Sequence, residues 1–556
     1  MGFRREVAKL PVSPEAGEAV NKDFQTLLDL YHEGKDTVWL FILKNMPRPR
    51  FMQGGFDLVM GNPPWLSLRY IRDARYSREV KRLVLKTYHL LSSKKTHLFT
   101  HLDVAPLFFA QASFLSLKKG GRIAFVMPRG VLSADQYSEF TSFDFLGDEA
   151  ISFALEHVVD LAPVPKEREV TPLFRQAACV IVAQKDGQTT FPVPATQMEG
   201  RLTGKNLSWA EAQKHLRLTP VRLSRIQGRL LTEKEGRGPM GKSYYHDNIF
   251  EGATLVPRNF FFVQAAQEPG PATRPVLETD EEEARQAKEP WRSLRMRGAV
   301  EGQFIFATLL GGDILPFDHR PLRPVLLPLS VQGDKALLVN YSQAVEQGHT
   351  GLALWLREAE EHWQRFATRD ERGQAKIANI LERIDWRNLL TRQRLNSGYK
   401  VLYNAAGTHI AACVLDLSTL PPVELGSGLS LPPSGFVADT KAFYHETAQL
   451  EEAYYLAAVL NSPVLDYAIK PIQSRGLYGE RDIHRKPFRL PIPCYDASRS
   501  SHRRLAELGQ ECHQRVVEGL PSLLPKYKGS GPLRTRLRET LQDTLKTIDW
   551  HVRRIL

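Results

Sequence analysis

The residues best placed to do chemistry are Asn62, Pro63, Pro64 and Trp65, which follow the run Phe56-Asp57-Leu58-Val59-Met60-Gly61. The run from Phe56 to Met60 predicts a short buried strand, and Gly-Asn-Pro-Pro predicts a tight, rigid turn after it. Two successive prolines remove backbone N–H groups, fix two φ angles and push Asn62 out of the helical region. Such a turn presents its polar groups outward. An exocyclic amine that must lose aromatic conjugation before it attacks a methyl group needs two acceptors, placed so that its lone pair turns toward the electrophile. The Asn62 side-chain oxygen and the Pro63 carbonyl, which no neighbouring amide easily claims, are suitable acceptors. Trp65 adds a planar face on which a base taken out of its duplex can stack.

These groups need a scaffold. After the turn comes a basic, aromatic segment from Arg69 to His89, then an apolar helix from about Leu102 to Leu117. Gly120-Gly121 is expected to stop that helix, and Arg122 to Pro128 reads as a strand. Strand, helix, Gly-Gly, strand is the order that a parallel, doubly wound sheet requires. Val158 to Leu161 is a further short strand, and Ala177 to Ala183 is a strand apolar on both faces, a sign of burial. Val170 to Phe174 forms a loop between them.

Gly61-Asn62-Pro63-Pro64-Trp65 at a strand end resembles the Asn-Pro-Pro-aromatic motif of the N6-adenine DNA methyltransferases. The helix, glycine turn and strand ending in Pro128 match the order of that family. The resemblance covers the first 190 residues with one specific motif and the remainder more loosely. It implies an α/β fold, a partial doubly wound (Rossmann-like) methyltransferase sheet followed by an α+β target-recognition region. It implies base flipping and adenine-N6 methylation of double-stranded DNA with S-adenosylmethionine, within a restriction-modification or related phage-defence system. Asn62, Pro63, Pro64 and Trp65 would be catalytic, Phe174 would stack on the other face of the base, and Asn62 and Pro64 would border the cofactor. No metal is implied.

The remaining chain supplies candidates for reading DNA. Residues 20–46 predict two short helices joined near Gly34. From about residue 190 the texture changes to prolines, polar loops and short strands. Thr254 to Val263 reads as strand, turn, strand with Arg258 and Asn259 at the tip, residue types that contact guanine and adenine edges; an ordinary hairpin is the plainer reading. Residues 265–290 are acidic and predict an exposed loop or helix. Residues 372–396 predict one amphipathic helix, Tyr399 to Tyr403 opens another β-rich region, and Glu451 to Leu460 predicts a helix. The loop from Gln473 to Pro493 carries Arg475, Tyr478, Arg481, His484, Arg485 and Lys486, with glycines that let a phosphate backbone approach. The tail from His502 onward is helical and basic. The expected domains are 1–190, 191–400, 401–500 and 501–556.

At 556 residues the chain suggests two to four domains, and its 42% apolar and 24% charged residues are those of a globular protein. Its 74 Lys and Arg against 62 Asp and Glu give a net charge of +12, which favours a polyanionic partner. Cys179, Cys413, Cys494 and Cys512 are too scattered for a zinc site or a disulfide framework and fit a reducing cytoplasm. No signal peptide or membrane-spanning run is visible, and no Walker loop, Cys-His zinc set or Ser-His-Asp arrangement is evident.

One part of the pattern is missing. Only 61 residues precede Asn62, and they hold no Gly-x-Gly loop between a strand and a helix. Downstream, Glu424 to Gly428 faintly resembles a cofactor loop, but Pro432-Pro433 stands where a helix should start. The expectation is that a partner chain or a missing N-terminal segment supplies the cofactor-binding half, and that the sheet otherwise presents an unpaired apolar edge. The alternative is a catalytically silent, DNA-binding specificity subunit.

Overall fold

A computed structural model describes residues 13–32, 54–71, 73–164, 168–233, 241–333, 335–369, 373–473, 475–476 and 479–556. The second helix expected before the turn, around Val38 to Leu43, lies outside these residues. The chain divides into two units, Met1–Gly236 with Arg475–Leu477, and Arg237–Ser474 with Tyr478–Leu556.

The first unit contains helices α1 (Pro14–His32), α2 (Ala74–Arg82) and α3 (Ala105–Ser116). Its strands are β1 (Phe56–Gly61), β2 (Leu117–Pro128), β3 (Asp144–Phe145), β4 (Ile151–Asp160), β5 (Ala178–Lys185), β6 (Val193–Gly200), β7 (Leu216–Ile226) and β8 (Arg229–Thr232). They form one mixed sheet in the order β1-β2-β5-β4-β6-β7-β8, with β3 on β4. The β1-α3-β2 unit is parallel, as the strand-helix-strand order predicts, and β4–β6 is also parallel; β2–β5, β4–β5, β6–β7 and β7–β8 are antiparallel. The sheet runs on through β8, well past the boundary expected near residue 190.

Alternation along the strands gives the sheet two unlike faces. Ile123, Phe125, Met127, Cys179, Ile181 and Ala183 are buried on one face. There α3 packs Phe109 against Phe125, Phe140, Phe143 and Phe153, with ring centroids 5.2 to 6.3 Å apart. Each such fully buried side chain contributes roughly 1.5–3 kcal/mol. On the other face Ala124, Val126, Val180 and Val182 are only half-buried, and Leu58 and Met60 continue the row at 48% and 72% exposure. β1 is therefore an exposed edge strand, contrary to the buried strand its composition predicts. Among the described residues it pairs with β2 alone.

The glycine pair is also placed differently. Helix α3 already ends at Ser116 with Leu117 extended, and Gly120 and Gly121 lie in the first turns of β2. A Cβ on Gly121 would meet the Phe56 and Lys118 carbonyl oxygens at 3.0 Å, so the residue serves the close approach of β1 to β2.

In the second unit, strands β9 (Phe250–Glu251), β10 (Tyr399–Asn404), β11 (Ala412–Asp416) and β12 (Ala442–Thr447) form an antiparallel sheet in the order β11-β10-β12-β9. Helices α4 (Leu450–Asn461), α5 (Ser500–Leu523) and α6 (Gln542–Ile555) share one apolar core with it, including Tyr403, Tyr455, Leu505 and Ile548. A second core gathers Phe260, Phe306, Trp355 and Leu402. The long helix expected over 372–396 is only Ile380–Ile384 plus a 3₁₀ turn, because Arg387 and Asn388 take φ of 59° and 57°, which no α-helix accommodates. Glu424 to Gly428 is the end of the strand Val423–Gly426 and the tight turn that joins it to Leu429–Leu431, so it is not a cofactor loop. Among the described residues no helix is long and apolar enough to cross a membrane, and no His, Cys, Asp and Glu cluster could hold a metal.

Candidate active site

The turn that follows β1 stands at the carboxyl end of the parallel pair β1–β2. Gly61 is opposite Phe125, and a Cβ there would press to 3.2 Å from the Phe125 ring, so glycine lets the strand end lie flat on its neighbour. Beyond it Asn62 and Pro64 are exposed and Pro63 is buried. The Asn62 amide has no hydrogen-bond partner among the described residues. Anchored below, the turn leaves the Asn62 side chain exposed, with Pro63 buried beside it.

Trp65 is half-buried, and its Nε1 donates to the Val126 carbonyl of β2 at 3.3 Å. This bond fixes the indole over the half-covered face of the sheet. The chain then doubles back, with Val104 N donating to Leu66 O at 3.0 Å and Leu68 N to Leu102 O at 2.8 Å. The start of α3 thus straps down the far side of the turn. Asp103 sits in this strap; burial raises its carboxyl above the ordinary range, while the Tyr137 hydroxyl, donating at 2.9 Å, holds it down in part.

Phe174 is half-buried in the loop between β4 and β5, and its ring centroid lies 5.5 Å from that of Trp65, tilted by 33°. Sequence reasoning thus brings together two residues 109 positions apart (174 − 65). The two rings touch one another. A base held between them would need planes about 7 Å apart, roughly twice the van der Waals separation. The pair forms one continuous aromatic platform beside Asn62.

The loop carrying Phe174 is braced at its base by a pair that sequence reading missed. Arg129 Nε donates to both Asp160 oxygens, at 3.0 and 3.1 Å, with both side chains under 10% exposed. Asp160 Oδ1 also accepts Ala162 N at 3.1 Å, and Arg129 N donates to Ala177 O at 2.8 Å. Further out, Thr171 N donates to Gly200 O at 3.1 Å, and Arg168 reaches Glu199 at 2.7 Å and Gln197 at 3.2 Å. The available signal was positional, for Arg129 and Asp160 close strands β2 and β4, which flank β5.

The candidates for reading DNA fare unevenly. Asn259 is fully buried and donates to Leu294 O at 3.1 Å, so it cannot reach a base. Arg258 pairs with Glu283 and lies over the Phe262 ring at 5.3 Å. The expected hairpin tip is a one-turn helix, Arg258–Phe261, folded inward because the following phenylalanines supply the core. The acidic stretch forms the short helix Glu281–Gln286, as one of the two expectations has it, but Glu283 within it is buried and also binds Arg323 at 3.0 Å. In the other candidate loop Arg481, His484 and Arg485 are exposed, and Lys486 is half-buried and donates to Asp482 O at 2.7 Å. Arg475 lies in a two-residue strand paired with Gly479–Glu480; its side chain and the whole of Tyr478 fall outside the described residues.

Comparison with known proteins addresses the segment that builds this corner. Residues 16–158 match the Eco57I restriction-modification methylase family. The matched span takes in β1, the Asn62–Trp65 turn, α3, β2 and most of β4. No curated protein matches the chain. Among solved structures it is similar to the Type IIL restriction-modification enzyme MmeI in complex with DNA, at 10% identity and a TM-score of 0.49, over 90% of this chain and 54% of that one. A nuclease-deletion mutant of the Type ISP enzyme LlaGI with a DNA substrate mimic gives 10% identity and 0.41, over 84% and 42%. The DrdV–DNA complex gives 12% identity and 0.40, over 86% and 46%. The chain spans about half the length of these proteins.

Proposed function

We propose that this chain is the base-presenting and DNA-reading portion of an adenine-N6 DNA methyltransferase of restriction-modification type. The observation that carries the reading is the exposed Asn62 of a proline-locked corner, standing beside the Trp65–Phe174 platform inside a segment similar to restriction-modification methylases. An extruded adenine stacks on the platform, and its N6 hydrogens are accepted by the Asn62 side-chain oxygen and the Pro63 carbonyl. Holding the amine in that geometry supplies orientation, which is where much of such a rate enhancement arises. Entry of the base between the two rings requires the Phe174 loop to move outward.

The described residues do not by themselves fit S-adenosylmethionine. They include no glycine loop between a strand and a helix near Asn62, and among them β1 has no second strand beside it, with Leu58 and Met60 exposed. The cofactor is held by a polypeptide segment that adds to that edge and covers the half-buried face, supplied by a partner chain or by a longer form of this one. The test uses the chain alone and together with the product of the adjacent upstream reading frame, incubated with tritiated S-adenosylmethionine and duplex DNA. Label recovered as N6-methyladenine in the mixture, and lowered at least about 100-fold by Asn62→Ala, supports the reading. Salt-sensitive DNA binding without transfer in either incubation would instead mark a silent specificity subunit.

A further inference from the structure

The connection between β10 and β11, residues 405–411, is held more firmly than a strand connection requires, since two residues suffice to join antiparallel strands. Beneath it the buried Asn404 amide accepts Ala411 N at 2.8 Å and donates to the carbonyls of Ala406 and His409 at 3.0 and 3.1 Å. Asp466, in the helix Pro463–Ile469, accepts Ile410 N at 2.9 Å through Oδ1 and His409 Nδ1 at 2.7 Å through Oδ2. Lys470 donates to Thr408 O and lies 3.3 Å from Asp466. To one side, Gly407 N donates to Arg481 O at 2.9 Å, and Ile483 N and His484 N donate to Ala405 O at 3.0 and 3.1 Å.

The outward edge of this braced turn is Ala406, Gly407, Thr408 and His409, beside exposed Arg481, His484 and Arg485. Gly407 has φ +146°, and a Cβ there would lie 2.9 Å from the Asn404 amide nitrogen, so glycine lets the turn close down on that buried amide. An ionised carboxylate only accepts, so His409 Nδ1 carries the proton it shares with Asp466, and Nε2 is the nitrogen left to solvent on a side chain 46% exposed. Burial alone would raise the Asp466 carboxyl, but the His409 hydrogen bond and the charges of Lys470 and Arg538 hold it at about 2. One buried anion therefore faces three basic side chains, and the surface above them favours a negative ligand.

We propose that the 405–411 turn is a phosphate-backbone contact for duplex DNA, in which His409, aimed by Asp466, and the Thr408 hydroxyl receive one phosphate beside the Arg481–Arg485 loop. The proposal rests on the reading of that loop as a DNA reader. His409 meets the phosphate through Nε2, the ring nitrogen that Asp466 leaves free, and Asp466 is a positioning residue.

The test is fluorescence anisotropy of the full chain with a labelled duplex of arbitrary sequence, of about 30 bp, from about 50 to about 200 mM salt. His409→Ala is expected to weaken binding about three- to tenfold at the low-salt end and to reduce the slope of log K against log salt by about one. His409→Lys, which places a cation at that point, retains the slope. Asp466→Asn lowers the slope in the wild-type background and not in the His409→Ala background, a non-additivity that a purely structural role would not give. If Arg485→Ala weakens binding while His409→Ala leaves affinity and slope unchanged, the turn is not a contact and the loop reading stands. If neither variant has an effect, the loop reading fails and this proposal with it. Equal loss of affinity for a single-stranded RNA probe would also overturn the assignment to duplex DNA.

Discussion

Strands β1 and β10 have the same length and comparable apolar content, yet they live in opposite surroundings. Val401, Leu402 and Tyr403 of β10 are at most 1% exposed, with a strand on each side and apolar cores on both faces. Leu58 and Met60 of β1 are 48% and 72% exposed, with one neighbouring strand and one covered face among the described residues. Burial is decided by which elements exist to cover a strand. The second unit supplies its own cover for β10, whereas among the described residues β1 stands at an edge, and the candidate catalytic turn sits at the end of that strand.

The sharpest way to break this contrast is to truncate both strands. Leu402→Ala should cost about 3 kcal/mol in urea unfolding, because it leaves a cavity in a closed core, while Leu58→Ala should cost less than about 1 kcal/mol. Equal costs would mean that β1 is covered. A second difference concerns charge. Burial pushes the Asp439 carboxyl up to about 6, against the hydrogen bond from Lys441 N and the charges of Arg258 and Lys441, and its Oδ2 has no partner. The folded state then keeps this proton to a higher pH than the unfolded chain does, so stability falls as pH rises from about 4 to about 6. Asp439→Asn should add up to about 3 kcal/mol above that window and nothing below it, as thermal melts at both ends of the range would reveal. The smallest effect on folding belongs to Met60→Asp, within about 0.5 kcal/mol. That change should nevertheless abolish pull-down of the cofactor-supplying segment, since it places a charge on the edge that the segment must cover.

Local pattern was legible where local forces decide. The β1-α3-β2 order, strand β5, helix α4 and the helical tail follow from periodicity and breakers, and the approach of Phe174 to Trp65 follows from an aromatic residue in the loop before a buried strand. What stayed hidden depends on distant partners. The sequence of β1 reads as buried because composition does not say which strand lies at an edge. Arg258 and Asn259 read as a hairpin tip because nothing nearby announces that Glu283 will neutralise the first and that the second will cap a buried carbonyl. The same holds for the Arg129–Asp160 brace and for Asp466 beneath His409, each made by residues far apart in the chain.

In the proposed function the exposed amide of Asn62 presents an adenine for methylation once the open edge of β1 is filled. That role is tested most directly by methyl transfer from labelled S-adenosylmethionine to duplex DNA in the presence of the edge-filling segment. The wild-type mixture should yield N6-methyladenine and the Asn62→Ala mixture almost none. Transfer that survives Asn62→Ala unchanged, or label found on a base other than adenine, would contradict it.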